Sequence, residues 1–193
     1  MIAVVGCPRA GTTLVAEHLH SKGVLMCASS VSPFPGDHFQ WEEKEIIDAV
    51  RTWVEGGGFD EPLFRVWYRK RIEHHAELHR NLMGVRTEWG VKGSALLLMR
   101  RDFERWARIL GHKVRWICCK RPAEDGITDF RKNSMLTMLP SRRDVVLNNF
   151  ALIARAIEMT IKCDIDHYDL ILEHHESANS KLRRVDEWLD GIG

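Results

Sequence analysis

The chain opens on a short apolar run, Ile2–Val5, that breaks at the turn GCPRAG, and this pattern predicts a first strand ended by a glycine-bearing loop. Leu14, Val15, His18 and Leu19 then recur on one helical face, so a helix is expected through about Lys22, stopped by Gly23. Val24–Cys27 reads as a second strand, and Ala28–Gly36, with its Ser, Pro and Gly, as a loop. Helices are expected from Trp41 through Val54, ended by Gly56–Gly58, and from about Glu61 to Met83, with Phe64, Tyr68 and Ile72 in one stripe. His112–Cys119 (HKVRWICC) is the best central strand after the first, and Pro122 opens a helix, as a proline at the first helical position does. Val146, Phe150, Ile153, Ile157 and Ile161 mark one side of a long helix, with Glu158 and Lys162 paired at i,i+4 on another. A last strand within Asp166–Leu172 and a final helix striped by Leu182, Val185 and Leu189 complete the pattern.

Strands alternating with helices predict an α/β fold, a parallel sheet flanked by helices on both faces, whose ligands collect at the carboxyl ends of the strands. The 193 residues suit one such domain, and no internal repeat, low-complexity segment or long linker divides them.

Composition narrows the function. Apolar residues at 45%, with seven Trp and seven Phe, fill a sizeable core and exclude a disordered chain. Lys and Arg number 28 against 27 Asp and Glu, a formal charge of +1, which argues against bulk nucleic-acid binding but leaves room for a small anion held by local cations. No apolar run approaches the roughly 20 residues of a membrane helix, and the apolar start is too short for a signal peptide, so a soluble, cytoplasmic protein is expected. The five cysteines, at 7, 27, 118, 119 and 163, include no CxxC pair and are expected to be reduced.

The sharpest motif is Gly6-Cys7-Pro8-Arg9-Ala10-Gly11-Thr12-Thr13, between a predicted strand and helix. Glycines admit an anion close to the backbone, and a helix N-terminus points unpaired N–H groups at it. The G-x4-G spacing matches a nucleoside-triphosphate P-loop, but Thr12 stands where GK[ST] has its lysine. One cation lies inside the loop, Arg9, which suits a phosphate or sulfate without a metal-bridged γ-phosphate. A ligand-free strand-to-helix turn is the bland alternative.

GCPRAGTTL resembles the 5′-phosphosulfate loop of sulfotransferases, close to PxSGTT with Lys or Arg at x. HFQWEEKEI (38–46) is similar to the GHFEDxE stretch of small bacterial and phage members, and WGVKGSALL (89–97) to their WGxKDPR segment. VRWICCKRPAEDGIT (114–128) resembles the strand and loop that bind the 3′-phosphate, RxPxxxxxS, and DHYDLIL a late strand with Tyr-x-Asp-Leu. The order of these segments is the family's.

The resemblance implies a P-loop-like fold and a metal-free transferase that moves a sulfuryl group from 3′-phosphoadenosine 5′-phosphosulfate to a hydroxyl or amine of a small-molecule, carbohydrate or other acceptor. By that resemblance Pro8, Arg9, Ala10, Gly11, Thr12 and Thr13 bind the 5′-phosphosulfate, and Lys92 stands near the transferring group. Lys120, Arg121 and Thr128 answer to the 3′-phosphate site, with Lys120 at the family's arginine. Gly93, Ser94 and Ala95 depart from the family's Asp-Pro-Arg, and Ser94 occupies the place of the catalytic His of animal members. Glu42 and His38 are the remaining candidates for the base. Residues 28–85, outside the phosphate motifs, form the expected acceptor region. Two alternatives stay open: a catalytically silent nucleotide-binding protein of the same fold, and a P-loop small-molecule kinase with an altered loop.

Other signals carry less. RVWYRKRIEHHAELHR (65–80) mixes basic and aromatic residues, yet Glu73, Glu77 and its helical spacing make a solvated face the better account, with an acceptor-binding wall for an acidic substrate as the alternative. His75 and His79 lack the HExxH pattern and a third zinc ligand. His174–His175 reads as a polar turn, and Trp89 and Trp116 as core residues rather than an adenine platform.

Overall fold

A computed structural model describes residues 1–26, 88–109, 111–132 and 143–192. The helices expected over 41–54 and 61–83, the acceptor region, His38 and Glu42 lie outside the described residues. In chain order the elements are β1 (Ile2–Gly6), α1 (Thr12–Ser21), β2 (Leu25–Met26) and β3 (Trp89–Lys92). A 3-10 turn, Ser94–Met99, runs into α2 (Arg100–Ile109), followed by β4 (Arg115–Cys119), α3 (Ala123–Arg131) and α4 (Arg143–Cys163). A second 3-10 turn, Ile165–His167, leads to β5 (Leu170–Leu172) and α5 (Ala178–Ile192).

The five strands form one all-parallel sheet in the order β2-β3-β1-β4-β5. Every residue of β1 is buried, as a central strand covered on both faces requires. The chain leaves β1 for β2 on one side and leaves β4 for β5 on the other. Right-handed crossovers therefore send α1 to one face and α3 and α4 to the opposite one. After β5, helix α5 returns to pack against α1, where Asp186 accepts from His18 at 2.8 Å and pairs with Lys22 at 3.0 Å. The α/β architecture with a parallel sheet flanked by helices is the one the alternating pattern predicts.

Local chemistry explains the boundaries. Helix α1 ends as expected at Gly23, where Val24 N–H reaches the Leu19 carbonyl and Gly23 N–H the His20 carbonyl, a Schellman motif. Pro122 stands one position earlier than expected, in extended conformation at the N-cap of α3 rather than inside it. Strand β4 begins at Arg115, later than the expected His112, after the turn at Gly111. Strand β5 is confined to Leu170–Leu172 because Ile165–His167 coils into a 3-10 turn, and the Asp169 carboxylate itself accepts Trp116 N–H at 2.7 Å. Helix α2 carries no apolar run in the sequence and is anchored by Phe103 and Ala107 alone among its described buried apolar residues. Trp89 and Trp116 are core residues, Cys118 and Cys119 are buried, and Glu158 pairs with Lys162 at 2.9 Å.

Candidate functional site

The carboxyl ends of β3, β1 and β4 lie side by side, so the segment leaving β1 emerges between the ends of two neighbours. Its path is fixed from beneath and beside. Cys7 N–H donates to the Cys119 carbonyl at 3.3 Å, and Ala10 N–H closes onto the Cys7 carbonyl at 3.1 Å. Helix α3 comes so near that a Cβ added to Gly126 would stand 2.7 Å from the Pro8 carbonyl oxygen. Arg121 Nη1 donates to the Arg9 carbonyl at 2.8 Å. Within this frame Arg9, an exposed non-glycine residue, adopts φ +66°.

Gly11 is the N-cap of α1 at φ +92°, a conformation that glycine adopts without a Cβ penalty. It brings no capping side chain, so among the described residues no acceptor takes the first N–H groups of the helix, at Thr12 and Thr13. No acidic residue occupies that first turn. An uncapped helix N-terminus over a glycine bend is an oxyanion cradle, with its dipole and its free donors pointing the same way. Thr12 is buried beneath it and Thr13 half-buried.

Cations flank the cradle. Lys92, in register with Val4 as the last residue of β3, is buried at 3% exposure within the strand rather than solvated after it. Lys181, in the first turns of α5, is 6% exposed, and its Nζ lies 4.0 Å from where a Cβ on Gly11 would be. Both act on the Cys119 thiol: burial pushes that thiol up to about 12, against the opposing pull of Lys181 and then Lys92. Lys181 escaped the sequence reading. Its signal was present as a lysine in register with the buried stripe Val185 and Leu189, where Leu182 had been assigned the inner face.

Beyond β4 the chain turns outward through Lys120 and Arg121. Lys120 pairs with Glu173 at 2.8 Å, and Arg121 Nη2 pairs with Asp129 at 2.6 Å. The hydrogen bond from Arg121 holds the Asp129 carboxyl below its ordinary value. Lys120, Arg121 and Glu173 line a cavity of about 360 Å³ together with His174 and His175, which sit exposed in the turn after β5. Cys7 also borders it, its thiol pushed up to about 11 by burial. Thr128 is exposed on α3 and does not contribute to the described lining.

The structure thus brings Pro8, Arg9, Ala10, Gly11, Thr12 and Thr13 into one loop, sets Lys181 beside Gly11, ends the neighbouring strand β3 at the buried Lys92, and joins Arg121 to the loop backbone. Among the described residues no group of three or more His, Cys, Asp or Glu side chains could hold a metal ion. No helix of the described residues is long and apolar enough to cross a membrane. Comparison with protein families finds no match to this chain, and comparison with curated proteins finds none either.

Proposed function

We propose that the chain is a sulfotransferase that uses 3′-phosphoadenosine 5′-phosphosulfate as donor and a hydroxyl or amine as acceptor. One observation carries the reading: an uncapped helix N-terminus follows the central strand, and cationic residues, Lys92 and Lys120–Arg121, end or follow both strands beside it. That arrangement suits a ligand with two separated anionic groups. In this reading the N–H groups from Gly11 to Thr13 and the Arg9 guanidinium hold the 5′-phosphate, with Lys92 beside the sulfuryl group. Lys120, Arg121 and Thr128 attend the 3′-phosphate, and Glu42 or His38 takes the acceptor proton. The acceptor oxygen or nitrogen bonds to sulfur as the bond from sulfur to the phosphate oxygen breaks. Charge then builds on the leaving phosphate, where fixed donors and cations do the most good. Arginine stays protonated, so Arg9 stabilises charge and does not donate a proton. Buried free thiols at Cys7, Cys118 and Cys119 fit a reducing, cytoplasmic setting.

A second reading, a nucleotide-binding protein without transfer, draws on the carboxylate partners that Lys120 and Arg121 already hold. Thermal shift against ATP, GTP, adenosine 5′-phosphosulfate and 3′-phosphoadenosine 5′-phosphate, followed by transfer of labelled sulfate to an acceptor panel, tests both. Selective stabilisation by the 3′-phosphorylated nucleotide with label transfer is expected. Stabilisation without transfer to any acceptor favours the second reading, and a preference for ATP or GTP favours a kinase.

A further inference from the structure

We infer that Lys181 is the buried cation of the oxyanion site at the N-terminus of α1, binding a tetrahedral phosphate or sulfate from the last helix rather than from the loop. The inference rests on the loop as an anion site but not on the identity of the nucleotide. A P-loop of this spacing carries its lysine at the position Thr12 holds, and no other residue of 6–13 supplies a buried charge. Arg9 is exposed, and its field falls on Asp129. Lys181 approaches the same space from α5.

Three features turn its side chain inward. Lys181, Val185 and Leu189 recur at i, i+4 and i+8 and are the buried residues of α5. The helix start is fixed by Ser177, whose hydroxyl accepts Ser180 N–H at 3.2 Å. Glu176, a carboxylate near enough to feel the ammonium, is committed elsewhere: it accepts Arg184 at 2.6 Å and Glu173 N–H at 2.7 Å. Lys181 Nζ consequently has no hydrogen bond or ion pair among the described residues, although the side chain is more than nine-tenths buried. Next to it stand the unclaimed N–H groups of Thr12 and Thr13. A nearly enclosed lysine whose ammonium has no protein partner gains nothing from the fold for its lost hydration, and free donors beside it share the deficit. One oxyanion with its oxygens shared between the helix N-terminus and the ammonium satisfies both.

The test is K181M, which keeps the aliphatic stem, compared with wild type in titrations of inorganic phosphate, inorganic sulfate and 3′-phosphoadenosine 5′-phosphate. The expected result is a loss of about 10- to 100-fold in affinity for each anion that wild type binds. A melting temperature that is unchanged or higher without anion is expected alongside. A lysine serving only the fold would instead lower the melting temperature and leave anion affinity intact, which overturns the inference. Should K181M fail to fold, amine acetylation of wild type read by mass spectrometry gives the answer. Saturating phosphate should slow modification of Lys181 at least about tenfold, the lower end of that same interaction, and an unchanged rate overturns the inference. Wild type that takes phosphate at Lys181 but ignores the nucleotide retains this site and removes the sulfotransferase reading. Nucleotide binding that K181M leaves untouched does the reverse.

Discussion

Arg121 donates from Nη1 to the Arg9 carbonyl at 2.8 Å while its Nη2 holds Asp129 at 2.6 Å, so one guanidinium ties the loop backbone to helix α3. The residue it grips stands at φ +66°, where a side chain costs about 1–2 kcal/mol. Arg9→Gly removes that cost but widens the unfolded ensemble, which returns about 0.4–1 kcal/mol. The net expectation is a stability gain of about 0–1.6 kcal/mol, read by urea unfolding, together with loss of sulfuryl transfer. Arg9→Ala should lose transfer without the gain. Undiminished kinetics in either variant would remove Arg9 from the site.

Gly126→Ala sets two effects against each other. Alanine improves an exposed helix by about 1 kcal/mol, whereas crowding a packed contact costs about 1–3 kcal/mol. Here the obstacle is the Pro8 carbonyl, backbone that cannot rotate away, at 2.7 Å from the new methyl group. The clash should win. Expected are a lower melting temperature and weaker anion binding, because the loop must shift to make room. A variant as stable as wild type would show that α3 does not brace the loop.

The Asp129 carboxyl lies below its ordinary value of 3.8 because Arg121 bonds its charged form. A lowered carboxylate contributes stability above the unfolded value and loses it as pH falls through the folded one. Asp129→Asn should therefore reduce the melting temperature at neutral pH. The gap from wild type should close as pH drops below the ordinary carboxylate range. A gap independent of pH would point to packing rather than charge.

Glu173→Gln addresses the other pair. Lys120 is 29% and Glu173 38% exposed, so the ion pair adds little to stability, about 0–1 kcal/mol. It does compete with any phosphate for the ammonium. Affinity for 3′-phosphoadenosine 5′-phosphate should rise a few-fold in Glu173→Gln, with adenosine 5′-phosphosulfate unaffected, when measured by calorimetry. A fall for both would mean that Glu173 positions Lys120 instead of occupying it.

Much of the fold was legible because its signals are local. An apolar run broken by GCPRAG marks β1, the periodic apolar face marks α4, and Gly23 ends α1 through backbone bonds of its own segment. Helix α2 was not, since RRDFERWARI shows charge nearly all round and buries Phe103 and Ala107 one helical turn apart. Lys181, and the burial of Lys92, escaped for a related reason. Polarity in a sequence reads as exposure, and only tertiary packing shows that these two ammonium groups are turned inward. The strand-to-helix loop over residues 6–13 was found by its spacing. The partners of Lys120 and Arg121 were not, because Glu173 is 53 residues from Lys120 and neither it nor Asp129 belongs to a motif.

The thiols behind the loop give the molecule a clock. Cys7, in the bend between β1 and α1, and Cys118 and Cys119, on β4, are at most 1% exposed, whereas Cys163 lies exposed at the end of α4. A small alkylating reagent should therefore label Cys163 at the rate of a free thiol and the other three only during excursions that part β1 from β4. The ratio of those rates measures how often the centre of the sheet breathes, residue by residue and without an inserted probe.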